Sequence, residues 1–294
     1  MSTSSALRRH GVGAFFVLSL LAWGIWVPQA AHRFGFVGWA PSLQSPLNAL
    51  AVWAPGLAAI VLVSLARGNT TIGVLFSTLT KWRVSPRWYF VALLFEPLKW
   101  LLAHGFDRLV GRVYELGPAP LLSSLGASGS VMVPVAILFT LPNSLGEELG
   151  WRAYALPRLQ ERHGALVASI ILGLFWGFWH IPMWIAWRSG EVNWVSILLM
   201  VINMVPVAIL FTWIYNGTGR SLLLACLFHA SMATKGYLLP RLPTLTETVI
   251  LWLVAASVVA LGGILRTPPA GDAPTDKSER PNTRLHTAAL AGPD

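Results

Sequence analysis

Charged side chains are scarce in this chain. Only 11% of its 294 residues are Asp, Glu, Lys or Arg, against 55% hydrophobic, at a mean hydropathy of +0.61. So little polar surface excludes a soluble globule of this length, and the chain reads as an all-α, polytopic transmembrane bundle. Cysteine is nearly absent. The lone Cys226 excludes an internal disulfide and, three residues before His229, reads as packing rather than as a metal ligand. There is no internal repeat, phosphate-binding glycine loop, zinc-finger spacing or H-E-x-x-H motif. Ser144, Ser221 and Ser231 supply hydroxyls, but no G-x-S-x-G elbow surrounds them, which disfavours a serine hydrolase. The net charge of +9 comes from cations scattered through the loops, so nucleic acid is not an expected partner and the lipid bilayer is.

What the sequence has in abundance is long apolar runs. They fall at 11–31, 47–66, 88–106, 130–146, 165–186, 194–215, 220–239 and 245–265, which predicts about eight spans. The first follows Arg8, Arg9 and His10 and resembles a signal peptide, but its length and the membrane protein that follows favour a span. With the N-terminus cytoplasmic, fourteen of the 21 Lys and Arg fall on inner segments, six on outer loops and Lys99 within a run, so both termini are expected inside. Segment 69–87, with Trp82 and Trp88 among four cations counted from Arg67, reads as an interfacial anchor. The expected organisation is a cytoplasmic N-terminus over 1–10, a transmembrane domain over 11–266 and a disordered tail over 267–294, rich in Pro, Ala, Asp and Thr.

Against this background, carboxylates at membrane depth stand out. Residues 142–162 contain Glu147 and Glu148 side by side, and such groups normally face a bundle interior or a wet cavity. Two adjacent acids repel and titrate as a coupled unit, which suits general-base work. On a helix Glu148 and Arg152 are four apart and pair on one face, leaving Glu147 free to point elsewhere. The structural alternative is a capping box from Ser144 to Glu147, with a helix break at Pro142–Ser144 and an ion pair at a helix end. Glu96 and Lys99, three apart, read as a pair that neutralises itself.

Two histidines lie in other apolar runs. F-W-G-F-W-H places Trp176 and His180 four apart on one face, and His229 sits within L-F-H-A-S-M-A. A lone histidine in such a helix is ordinarily a packing residue. Two of them with a buried acid pair suggest activation of a water by one Glu, the imidazoles orienting it, stabilising an oxyanion or holding a metal. Amide hydrolysis follows from that set. A proton-relaying transporter ranks below it for want of two related halves.

The run G-E-E-L-G-W-R-A-Y-A-L-P-R-L-Q, then F-W-G-F-W-H-I-P, then His229 resembles the CPBP family of intramembrane proteases, which includes the type II CAAX prenyl endopeptidases and bacteriocin-processing or Abi-type proteins. The resemblance covers roughly residues 130–240, the protease-like core. It implies a bundle of about eight spans acting as an endopeptidase on a membrane-associated peptide or protein, in a bacterial plasma membrane. Glu147 would activate the water aided by His180, and His229 would help form the oxyanion site. Glu148, Arg152 and Trp176 would support them. No cofactor is expected; were a divalent metal such as zinc required, Glu147, His180 and His229 would be its ligands. Trp176 stands where the family usually has Phe, with little expected effect, and Ala233 stands where it commonly has Asn or Asp. If the latter residue donates to the oxyanion, Thr234 or Asn203 would have to replace it. The alternative is a non-catalytic immunity or scaffold protein of the same fold.

Overall fold

The computed structural model describes residues 3–66, 71–112, 129–188, 191–238 and 244–263. The expected tail lies outside the described residues. Among those described there is no strand, which fits a chain whose backbone polar groups must be satisfied within each segment in lipid. Helix α1 (Thr3–Ser19) continues through a 3₁₀ turn at Leu20–Ala22 into α2 (Trp23–Arg33), forming one apolar stretch from Gly11 to Arg33. The short α3 (Leu47–Val52) and α4 (Ala54–Ala66) follow, then α5 (Ile72–Ser77) and α6 (Pro86–Leu109).

Next come α7 (Gly129–Glu148), a π-helix at Leu149–Ala155, and α8 (Leu156–Trp187). As one straight helix, the 52-residue apolar stretch Ala136–Trp187 would run about 78 Å, far more than a hydrocarbon slab of roughly 30 Å. Two irregularities divide it. One is the π turn, and the other is Gly164, whose φ of 73° and ψ of 171° break the helix where a side chain would be strained. Helices α9 (Trp194–Gly217), α10 (Leu222–Leu238) and α11 (Thr244–Ala260) complete the chain.

Three described stretches are long and apolar enough to cross a membrane: Gly11–Arg33, Ala136–Trp187 and Trp194–Gly217. Shorter apolar helices lie at Ala54–Ala66, Leu222–Thr234 and Leu245–Ala260. The break that the structural alternative places at Pro142–Ser144 is absent. Helix α7 runs through Pro142, and Ser144 caps nothing: its hydroxyl donates to the Thr140 carbonyl at 3.0 Å, one turn back. The interruption comes instead after the acid pair, as the wide π turn.

Close helix approaches position the site. In α7 and the π turn, a Cβ on Gly146 would meet the Trp53 ring at 2.7 Å and one on Gly150 would meet Pro55 at 2.5 Å. In α8, Cβ atoms on Gly173 and Gly177 would each lie 2.7 Å from a Cα of α9, those of Val205 and Val201. Both pairs follow the small-xxx-small spacing that lets membrane helices touch backbone to backbone. Gly177→Ala is therefore expected to destabilise the fold by about 1–3 kcal/mol. Gly105→Ala on α6, with nothing within 4 Å, serves as a near-neutral control, and thermal unfolding of the two variants in the same detergent measures the difference.

Indole N–H groups add long-range ties. Trp179 donates to the Ser19 carbonyl at 2.8 Å and Trp23 to the Trp179 carbonyl at 3.0 Å, fastening the first span to α8. The segment read as interfacial is also tethered, since Lys81 donates to the Gly219 carbonyl and the Ser221 hydroxyl to the Lys81 carbonyl, each at 2.7 Å. Glu96 and Lys99 pair at 2.7 Å, both buried.

Candidate active site

The end of α7 brings Glu147 and Glu148 into the bundle, where α8 supplies Trp176 and His180 and α10 supplies His229. Trp151 of the π turn packs edge-on against Phe15, four residues beyond Gly11, and Trp179 bonds the carbonyl of Ser19. At 1.5 Å per residue the site therefore lies roughly 6–12 Å into the first apolar stretch from its Gly11 end.

Glu148 is fully buried and has two partners. Its Oε2 lies 3.1 Å from Nε of Arg152 one turn on, and its Oε1 lies 2.7 Å from Nδ1 of His229. The Arg152 guanidinium is also fully buried. Although its charge sits beside Glu148, none of its three nitrogens attains hydrogen-bond geometry with a described residue. Aromatic faces compensate: its Cζ lies 4.4 Å from the Trp176 ring centroid and 3.9 Å from that of Phe211 on α9. The i, i+4 pair expected from the sequence is present, in the bundle interior rather than at a helix end.

Glu147 turns toward different partners. Its Oε2 accepts the Trp176 indole N–H at 2.8 Å and the Trp151 indole N–H at 3.4 Å, while its Oε1 lies 3.8 Å from Nε2 of His229. His229 thus faces both acids, its Nδ1 to Glu148 and its Nε2 to Glu147. The 3.8 Å gap exceeds a direct hydrogen bond and is of the size a bridging water spans. With 16% of its side chain accessible, His229 forms an open edge of this otherwise buried group.

His180 borders the cluster without joining it. Its Nδ1 lies 2.9 Å from the Trp176 carbonyl, which can only accept, so Nδ1 carries a proton. Its ring lies edge-on to Trp179 at 4.7 Å, and both Glu147 and His229 act on it electrostatically. Among the described residues, no group of three His, Cys, Asp or Glu side chains is placed to hold one ion.

Asn203 is not part of this group. Its amide donates to the Thr248 hydroxyl at 3.4 Å and its oxygen accepts the Trp252 indole at 3.0 Å, which ties α9 to α11. The Thr234 hydroxyl is likewise engaged, 3.3 Å from that of Thr140, and Ala233 is exposed. Sequence reasoning missed Trp151, although its i+4 spacing from Glu147 was a usable signal. It also missed Phe211, which no local pattern marks. At 176, where little effect was expected of Trp in place of Phe, the indole N–H makes a bond to Glu147 that Phe cannot make.

A helical membrane protein with a buried acid pair, two indole donors and an imidazole bridging both acids is the class these features define. Residues 127–234 match the family model described as type II CAAX prenyl endopeptidase Rce1-like. Through this segment the chain is similar to that family. It is also 34% identical over 135 residues to "CAAX prenyl protease 2" of Methanococcus maripaludis. That alignment covers 43% of this chain and 49% of the relative, so the chain spans about half the length of the curated relative it matches.

Proposed function

We propose that this protein is an intramembrane endopeptidase that hydrolyses a peptide bond of a membrane-associated protein or peptide with a water activated by Glu147. One observation carries the reading: Oε1 of Glu147 and Nε2 of His229, from separate helices, face each other at 3.8 Å at the accessible edge of a buried site. A water there gives one proton to Oε1 as its oxygen bonds to the substrate carbonyl carbon. Nε2 of His180 accepts a hydrogen bond from the same water and orients it. Doubly protonated between two carboxylates, His229 directs Nε2–H at the developing oxyanion. Collapse of the tetrahedral intermediate breaks the C–N bond, and Glu147 returns its proton to the leaving nitrogen. Arg152 and Glu148 hold the His229 ring in place.

The eight-span arrangement with both termini cytoplasmic belongs to the same proposal. Contacts pair the segments as that topology requires: Lys81 with Gly219 and Ser221, Gln160 with Asn216, and Tyr154 with Gly11 at one end, and Arg33 with the Ile185 and Arg188 carbonyls at the other. Because Arg152 is buried in the bundle it leaves the loop count, and thirteen inner cations against six outer still favour cytoplasmic termini.

The relative's name points to prenylated substrates, and the test includes them. Purified protein in liposomes is given membrane-anchored peptides with and without a C-terminal prenyl group. Cleavage is expected to fall about 100-fold or more in His180→Ala and to persist with a strong zinc chelator present. Full activity in His180→Ala would remove His180 from the mechanism, and loss of activity to the chelator would replace the metal-free route. A second reading, a non-catalytic immunity or scaffold protein, is favoured by Ala233 together with the engagement of Thr234 and Asn203 elsewhere. It requires that no peptide be cleaved and that Glu147→Gln leave the cellular phenotype unchanged.

A further inference from the structure

Among the described residues, hydrogen bonds hold Glu147 by one oxygen only. Oε2 takes both indole donors, Trp176 at 2.8 Å and Trp151 at 3.4 Å, whereas Oε1 faces the open edge at His229. The ring at 176 has packing duties as well. It lies over Arg152 and stands edge-on to Phe211 at 5.5 Å and to His229 at 5.7 Å. None of those contacts needs a nitrogen. The N–H is therefore a separate feature of this side chain, and its short bond ends on the carboxylate.

We infer that Trp176 is a positioning residue for the hydrolytic reaction, its indole N–H pinning Oε2 of Glu147 so that Oε1 alone is presented to the attacking water. The inference rests on the proposed reading of Glu147 as the base. Glu has three side-chain torsions, and without an anchor on one oxygen the carboxylate swings and its two oxygens exchange places. A charge-assisted hydrogen bond removes that freedom and is strong enough to shift the aligned population about tenfold to a hundredfold. Trp151 cannot take over, since its 3.4 Å contact is near the limit of a hydrogen bond. Placing the anchor on α8 also links the base to the helix that carries His180, so both groups addressing the water share one support.

Two substitutions separate the N–H from the ring. Trp176→Phe keeps a ring for Arg152 and His229 to pack on. Trp176→benzothienylalanine, introduced as a non-natural residue, keeps the bicyclic outline with sulfur in place of N–H. In proteoliposomes both are expected to lower kcat about tenfold to a hundredfold and to leave KM within about twofold, with the isosteric variant melting close to wild type. Trp252→Phe, which removes an indole bond remote from the acids, is the unaffected control. Full kcat in both Trp176 variants alongside an inactive Glu147→Gln overturns the inference and leaves the hydrolase reading standing, whereas an active Glu147→Gln overturns that reading itself. Ultraviolet resonance Raman decides independently of turnover. The wild-type minus Trp176→Phe difference spectrum is expected to show a strongly hydrogen-bonded indole, and a free-indole signature there overturns the inference.

Discussion

Replacing Glu147 with Gln is expected to reduce peptide cleavage by about 10²–10⁴-fold while leaving the protein folded. The amide occupies nearly the same volume, and its carbonyl oxygen can accept the two indole donors that now bind Oε2. What it cannot do is take a proton from a water lying between position 147 and His229. The measurement is kcat in proteoliposomes, paired with a melting curve. Retention of more than about a tenth of wild-type activity would assign the base to another residue. Glu148→Gln makes a useful contrast, because Glu148 faces Arg152 and His229 rather than the open edge, and its loss should register in the melting curve as well as in rate.

The second large effect falls on stability. Arg152→Met is expected to cost about 3–5 kcal/mol, since it removes the charge beside a fully buried carboxylate. Met fills part of the space between the Trp176 and Phe211 rings, so the loss is chiefly electrostatic. Adding Glu148→Gln to Arg152→Met should recover much of it, giving a coupling energy of about 1–3 kcal/mol in a double-mutant cycle. Unfolding in mixed micelles measures all four proteins. A single Arg152→Met variant within about 1 kcal/mol of wild type would mean that Glu148 is carried by His229 alone.

Local spacing made part of this site legible in advance. Glu148 and Arg152 are one turn apart, so any helix through them makes the pair, and the scarcity of charge elsewhere drew attention to it. The run 165–186 begins directly after Gly164, where the backbone of α8 departs from helical geometry. What spacing cannot supply is the partner across the bundle. His229 lies 81 residues from Glu148 and Trp176 lies 29 from Glu147, and those contacts follow from how α8 and α10 are placed about the end of α7, which no periodicity records.

The uninterrupted helix through Pro142–Ser144 has a physical cause. Pro142, Asn143 and Ser144 are ordinary helix-breaking residues in water, where a freed carbonyl finds solvent. At membrane depth the chain keeps its internal bonds, and the Ser144 hydroxyl turns back onto Thr140 instead of opening a new helix. Asn203 is expected from the sequence to stand in for the polar group missing at 233, yet the same rule sends it to the nearest donors and acceptors on α11. Polarity inside a membrane marks a need for a partner, and only the fold says which partner meets it.

The glycine seams carry one more consequence, for anyone handling the protein outside a cell. Gly146 and Gly150 against Trp53 and Pro55, and Gly173 and Gly177 against α9, hold by direct atomic contact and not by the expulsion of water. Such contacts are as favourable beneath a detergent coat as beneath acyl chains, so the half of the bundle that bears the acids owes little to the identity of its surrounding amphiphile. Solubilisation strips away the solvent of the outer helices and leaves this inner joint as it was.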